Sequence, residues 1–131
     1  MKQQMPKRSN DFQRLIKAIY SAMANVDGGK VTESAILHEP NGTSREVDIL
    51  LESSVYDVPL IIAVECRDRS RKSDIEWIDG LIGKYHNLSV HKIIAVSRLG
   101  FSASSLEKAT SANIDVRSLE QCENADWSGE F

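Results

Sequence analysis

Cysteine is scarce: Cys66 and Cys122 are the only two in 131 residues. One lies in an apolar run and one in a polar tail, so they build no disulfide framework and are expected as free thiols in a reducing compartment. Long apolar runs are missing as well. "PLIIAV" meets charge within a few residues and is too short to span a bilayer. The opening "MKQQMPKRSNDFQRL" lacks the apolar core of a signal peptide. A cytoplasmic placement, away from any membrane, is the expectation. Internal repeats, low-complexity segments, a Gly-rich nucleotide loop and a Ser-His-Asp arrangement are absent, so no small-molecule cofactor is expected. His38, His86 and His91 show no metal-ligand spacing and no neighbouring cysteine, which places them at the surface.

Positive charge is short overall but not locally. The net charge is −3, which alone speaks against a polyanionic partner. Residues 119–131, however, hold Glu120, Glu123, Asp126 and Glu130 and no Lys or Arg. Setting those four aside leaves 16 basic against 15 acidic residues. Lys2, Lys7, Arg8, Arg14 and Lys17 oppose only Asp11 near the start, and Arg67, Arg69, Arg71 and Lys72 form a second cluster. Patches of this kind matter more for phosphate binding than the total.

The length fits one domain with a real core. Phe12, Leu15, Ile16, Ile19 and Met23 repeat at helical spacing. Asn10 is the expected N-cap, Gln13 its capping-box partner and Gly28–Gly29 the stop. "KVTESAILHE" alternates as a strand, and Asn41–Gly42 signals a hairpin. "REVDILLE" alternates too, with Val47, Ile49 and Leu51 expected on one face and Glu46, Asp48, Leu50 and Glu52 on the other. "SSVYDVP" reads as a loop. "LIIAVEC" is apolar on both faces until Glu65, as a central strand should be. A helix follows, with Ser73 and Glu76 as its capping box and Ile75, Ile78, Ile82 and Tyr85 as its inner stripe. "HKIIAVS" is a buried strand and "SASSLEKATSAN" a short helix capped by Ser104 and Glu107. "IDVRSL" is a final strand. The order α-β-β-β-α-β-α-β predicts an α/β mixed sheet flanked by helices, with an antiparallel meander first and parallel crossovers after it.

The apolar run ends in "VECRDRSRK", a charged knot. Glu65 and Arg67 are two apart and share one side of their strand. Asp48 sits in the preceding strand. If the two strands pair, these carboxylates approach and repel unless a cation lies between them. Two carboxylates, a backbone carbonyl and waters suit Mg²⁺, and a neighbouring cation can hold a phosphate or help polarise water. The competing reading is a partly buried salt-bridge network.

"REVDILL … IAVECRDR" resembles the core of the PD-(D/E)xK nuclease superfamily, an Asp on one strand followed by Glu-x-Lys on the next. "DFQRLIKAI" and "HKIIAVSRLGFSASSLEKATSANIDVRSL" resemble the opening helix and closing part of Mrr-like restriction endonuclease domains. The resemblance covers residues 10–119 and implies a restriction-endonuclease-like fold over residues 1–119, with 120–131 an acidic, flexible tail. It implies a Mg²⁺ site (Mn²⁺ as substitute) on Asp48, Glu65 and the carbonyl of Cys66. Arg67 stands where the family has Lys; it is permanently charged, clamps phosphate and cannot act as a base. Lys72 or Lys84 on the following helix would supply an amine, Lys72 steadying the phosphate together with Arg67, and both lysines, with Arg69 and Arg71, would contact DNA. Gln13 stands where the opening helix often carries Glu, so Glu33 or Glu46 would supply that carboxylate. The implied activity is a Mg²⁺-dependent DNA endonuclease of restriction or repair type, acting as a homodimer. The alternatives are the same fold retired from catalysis, binding DNA or a partner protein within a longer chain, and an interaction domain with no nucleic-acid role.

Overall fold

A computed structural model of the chain describes residues 10–124, of which 25–27 by backbone alone. Lys2, Lys7 and Arg8, and the acidic tail from residue 125 onward, lie outside the described residues. The elements are α1 (Asp11–Asp27), β1 (Lys30–His38), β2 (Ser44–Val55), β3 (Val58–Arg67), α2 (Ile75–Tyr85), β4 (Lys92–Ser97), α3 (Ala103–Ser111), β5 (Ile114–Ser118) and α4 (Leu119–Glu123). The strands form one sheet in the order β1-β2-β3-β4-β5. β1, β2 and β3 are antiparallel neighbours, and β3-β4 and β4-β5 are parallel through α2 and α3. This is the expected mixed sheet with one added helix. Residues 120–123, expected as part of the flexible tail, belong to α4: Ser118 caps it, and Cys122 on it is buried.

Two apolar cores cover the two faces. Phe12, Ile16 and Tyr20 of α1 pack with Ile49, Val64, Ile94, Val96 and Cys122. Trp77, Ile78, Leu81 and Tyr85 of α2 pack with Leu50, Ala63, Ala95, Phe101 and Ala109. The buried stripe of α1 runs through Tyr20 rather than Leu15, which is 38% exposed. Trp77 likewise joins the buried face of α2.

Caps explain where the helices begin. Asn10 Oδ1 accepts from Gln13 N at 2.8 Å, satisfying one of the first-turn donors, and Gly28 closes α1 at a φ of 77°. Three expected capping boxes are not formed. The side-chain amide of Gln13 turns instead toward β1 and β2. α2 takes Asp74 as its N-cap and α3 takes Ser102, because Ser73 is engaged by the turn after β4.

The segment read as a loop, "SSVYDVP", is a hairpin. Ser53, Ser54 and Val55 pair with Leu60, Pro59 and Val58, leaving Tyr56 and Asp57 as a two-residue turn. Both have positive φ, 52° and 66°, the geometry whose twist matches the flanking strands. Neither is the Gly or Asn that signals it. The alternation of β2 also departs from expectation. Ile49 packs in the α1-side core, but Val47 packs with Leu50 on the α2 side. The slip falls at Asp48, across from Ser34, whose φ is 56°. The β1-β2 register resumes beyond it without an inserted residue.

Candidate active site

The irregularity in β2 sits at the carboxyl ends of the parallel strands, where open α/β sheets place their ligands. Backbone pairing of β2 with β3 stops at Ile49–Val64. A side chain takes over the next rung: Asp48 Oδ2 accepts from Cys66 N at 2.8 Å. In an extended strand the N–H and C=O of one residue leave on the same side, so the Cys66 carbonyl faces the same gap. Asp48 is 1% exposed and Glu65 fully enclosed, one step beyond that last rung on their two strands.

Glu65 is not left as a bare buried charge. Its Oε2 accepts from Lys84 Nζ at 2.7 Å and from the Tyr85 hydroxyl. Both donors come from the last turn of α2. Lys84 is itself only 14% exposed along its side chain. An ammonium and a hydroxyl on one carboxylate oxygen offset much of the desolvation that burial imposes.

Gln13 holds the backbone of the other acid, Asp48, from the α1 side. It is 1% exposed, and its Nε2 lies 3.2 Å from Asp48 O, Ser34 Oγ and Glu33 Oε2. Two amide protons serve three acceptors, fastening α1 to the irregular stretch of β1 and to the backbone of Asp48. Glu33 is thereby committed to α1, with Lys17 Nζ 3.9 Å from its other oxygen. Glu46, two residues before Asp48, ends in a buried Oε2 with no hydrogen-bond partner among the described residues.

The basic residues take distinct places. Arg67 lies at the end of β3 with its guanidinium 5.0 Å from the centre of the Trp77 ring. Trp77 in turn stacks on Phe101 at 5.9 Å. This cation-π seat fixes Arg67 on the same side of β3 as Glu65. Arg69, Arg71 and Lys72 are exposed on the segment between β3 and α2. Lys84, not Lys72, is the lysine that reaches Glu65. The basic segment is anchored at Ser73, whose hydroxyl meets Ser97 Oγ at 2.7 Å. Ser73 N donates to Gly100 O, and Ser102 N donates to Ser73 O, both at 2.9 Å. Gly100 makes this approach possible with a φ of 85°. Sequence reading did not assign Tyr85 to the site; a tyrosine at the end of an aliphatic stripe beside a lysine was its one signal.

The donor set fits a hard divalent cation. Two enclosed carboxylates and a carbonyl at one strand fork are the few oxygen ligands that Mg²⁺ takes from protein, water completing the shell. Among the described residues no three His, Cys, Asp or Glu side chains cluster into a site made wholly of side chains.

No family model matches the chain, and no curated relative does. Solved structures do. The protein of unknown function AF1548 aligns over 81% of this chain with a TM-score of 0.66 and 11% identity. The MspJI restriction endonuclease, solved with a 27-mer oligonucleotide, aligns over 80% with a TM-score of 0.51 and 11% identity. The DNA modification-dependent restriction endonuclease AspBHI aligns over 87% with a TM-score of 0.50 and 7% identity. The chain spans 57%, 24% and 34% of those proteins' lengths. The mixed five-stranded sheet flanked by helices is therefore a restriction-endonuclease-like fold. No described helix is long and apolar enough to cross a membrane.

Proposed function

We propose that the chain is a Mg²⁺-dependent DNA endonuclease, of restriction or repair type, within the Mrr-like branch of the PD-(D/E)xK superfamily. One observation supports the reading: two enclosed carboxylates sit one step beyond the last paired rung of β2 and β3, Asp48 on the backbone N–H of Cys66, and a lysine from α2 is drawn onto Glu65. Apolar residues would stabilise such a place as well or better, so buried charge there has its best rationale in chemistry.

Asp48, Glu65 and the Cys66 carbonyl would hold the ion, and Mn²⁺ would substitute. Bound there, it would polarise the scissile phosphoryl group and acidify the attacking water. Lys84 takes the role of the motif lysine from a helix instead of the strand. Held at Glu65, its ammonium places positive charge and a proton beside the carboxylate that orients the water. Arg67, seated on Trp77, clamps a phosphate oxygen and exchanges no proton. Arg69, Arg71 and Lys72 bear on neighbouring phosphates, which sets affinity without reading sequence. Gln13 positions Asp48 and is not a ligand. DNA as the partner is supported by the fold shared with MspJI and AspBHI. Cutting both strands takes two such centres, hence a homodimer.

A second reading has its own observation. Lys84 and Tyr85 already satisfy Glu65 Oε2 without a metal, as in a fold retired to binding DNA or a partner protein. Supercoiled plasmid incubated with Mg²⁺ or Mn²⁺ separates the two. Nicking or linearisation lost in Asp48→Ala, Glu65→Gln and Lys84→Met supports the enzyme. Salt-sensitive binding without cleavage supports the retired module.

A further inference from the structure

The hairpin between β2 and β3 ends in the most exposed apolar group described. Tyr56 is 97% exposed, flanked by Val55 at 52% and Val58 at 60%. Its φ of 52° is a conformation that Gly takes without steric cost, that Asn tolerates and that costs a tyrosine more. A ring held out in water on a strained backbone contributes nothing to this domain's own core, which points to a role outside it.

Beside the base of the same hairpin lies an apolar cavity of about 590 Å³. Met23, Val31, Leu51, Leu60 and Ile62 line it, and Val55 makes it continuous with the tip. Lys30 and Arg117 stand at it with Glu52, and Arg117 Nη2 lies 4.0 Å from Asp115 Oδ2, which leaves Lys30 as the base facing the hollow. The tip carries one acid of its own, Asp57, next to Tyr56. One chain thus presents an apolar knob with an acid and, adjoining it, an apolar hollow with a base. A two-fold axis between two such surfaces places each knob in the other's hollow, the self-complementarity that an isologous contact requires.

We infer that this face is a homodimer interface, in which Tyr56 of one copy enters the other's cavity and Asp57 pairs with Lys30. DNA fits the tip poorly, since Asp57 would repel phosphate. The tip is also about 26 Å along β2 from Asp48, at roughly 3.3 Å per residue. Two tyrosines burying about 150–250 Å² each, with matching area on the cavity walls and the flanking valines, approach the low end of stable interfaces at about 1,200 Å². The expected dissociation constant is micromolar. The surface stands apart from the cleavage chemistry, and its test reads no activity.

Sedimentation equilibrium of the full chain from about 1 to about 200 µM brackets that range. The variants are Tyr56→Asn, which suits the turn and should leave the fold intact by circular dichroism, Lys30→Glu, Asp57→Lys, and the last two combined. A wild-type dimer is expected, weakened about tenfold or more by Tyr56→Asn and by each charge reversal, and recovered in the double reversal. A monomeric wild type overturns the inference, as does a dimer indifferent to Tyr56→Asn. A monomer whose Tyr56 is protected only by added duplex oligonucleotide overturns it in favour of a DNA wedge.

Discussion

Replacing Lys84 by Met keeps the length of the side chain while removing its charge from Glu65. Glu65 is fully enclosed and receives Lys84 Nζ at 2.7 Å, so the variant strands a carboxylate in the interior. Removing one partner of a buried pair typically costs about 3–5 kcal/mol. Two features of this site lower the figure. Lys84 keeps 14% of its side chain in contact with solvent, so part of the attraction is already screened. The Tyr85 hydroxyl also continues to donate to the same oxygen, a charged hydrogen bond worth about 1.5–3 kcal/mol. The expected loss is about 2–3 kcal/mol, read as a lower urea midpoint at unchanged slope. Glu65→Gln combined with Lys84→Met removes both charges and should return part of that loss, a coupling of about 1–2 kcal/mol. With the ammonium gone, millimolar Mg²⁺ should raise the midpoint of Lys84→Met more than that of wild type, because ligand binding to the folded state alone stabilises it. A single-variant loss below about 1 kcal/mol, or strict additivity of the pair, would refute the reasoning.

Further outcomes follow from other contacts. Gln13→Leu removes the donor shared by Asp48 O, Ser34 Oγ and Glu33 Oε2 and should cost about 1–3 kcal/mol, with faster amide exchange around Ser34 and Asp48. Burial holds the thiol of Cys122 and, more strongly, the phenol of Tyr20 neutral by raising both pKa values. For such acids the folded-state pKa lies above the unfolded one, so their stabilisation is intact at neutral pH and is lost as pH rises past about 8.5, where the unfolded thiol ionises; Cys122→Ala should blunt the alkaline drop in melting temperature. Ser73→Ala breaks the contact with Ser97 Oγ and should loosen the 68–72 segment, seen as faster proteolytic nicking at Arg69 and Arg71 with a loss of about 1 kcal/mol in global stability. Asn10→Ala should cost about 1 kcal/mol by removing the cap on Gln13 N.

Much of the fold was legible because its signals are periodic and local. The apolar runs at 60–66 and 92–97 could only be central strands, and the helical spacing in 11–27 and 75–85 left little choice of element. Asp48 and Glu65 stood out because an acid inside an apolar strand needs a reason. What sequence could not carry was tertiary. The turn at Tyr56–Asp57 has no Gly or Asn, so nothing local announces its positive φ. The switch of Ser73 from helix cap to turn anchor depends on Ser97 and Gly100, far along the chain. The sequence favoured Lys72, nearer to Glu65 along the chain, with Lys84 as the alternative amine; the length of α2 brings Lys84, in its last turn, onto Glu65. The burial of Cys122 depends on α4 folding back toward α1, and five residues are too few to read as a helix from spacing alone.

Direct observation of the ion tests the central claim most sharply. Mn²⁺ titrated into the full chain and followed by electron paramagnetic resonance counts bound ions with no substrate present. One ion per chain is predicted, lost in both Asp48→Asn and Glu65→Gln while each variant keeps its fold. Wild-type protein that leaves millimolar Mn²⁺ entirely free, or variants that bind as wild type does, would contradict the account.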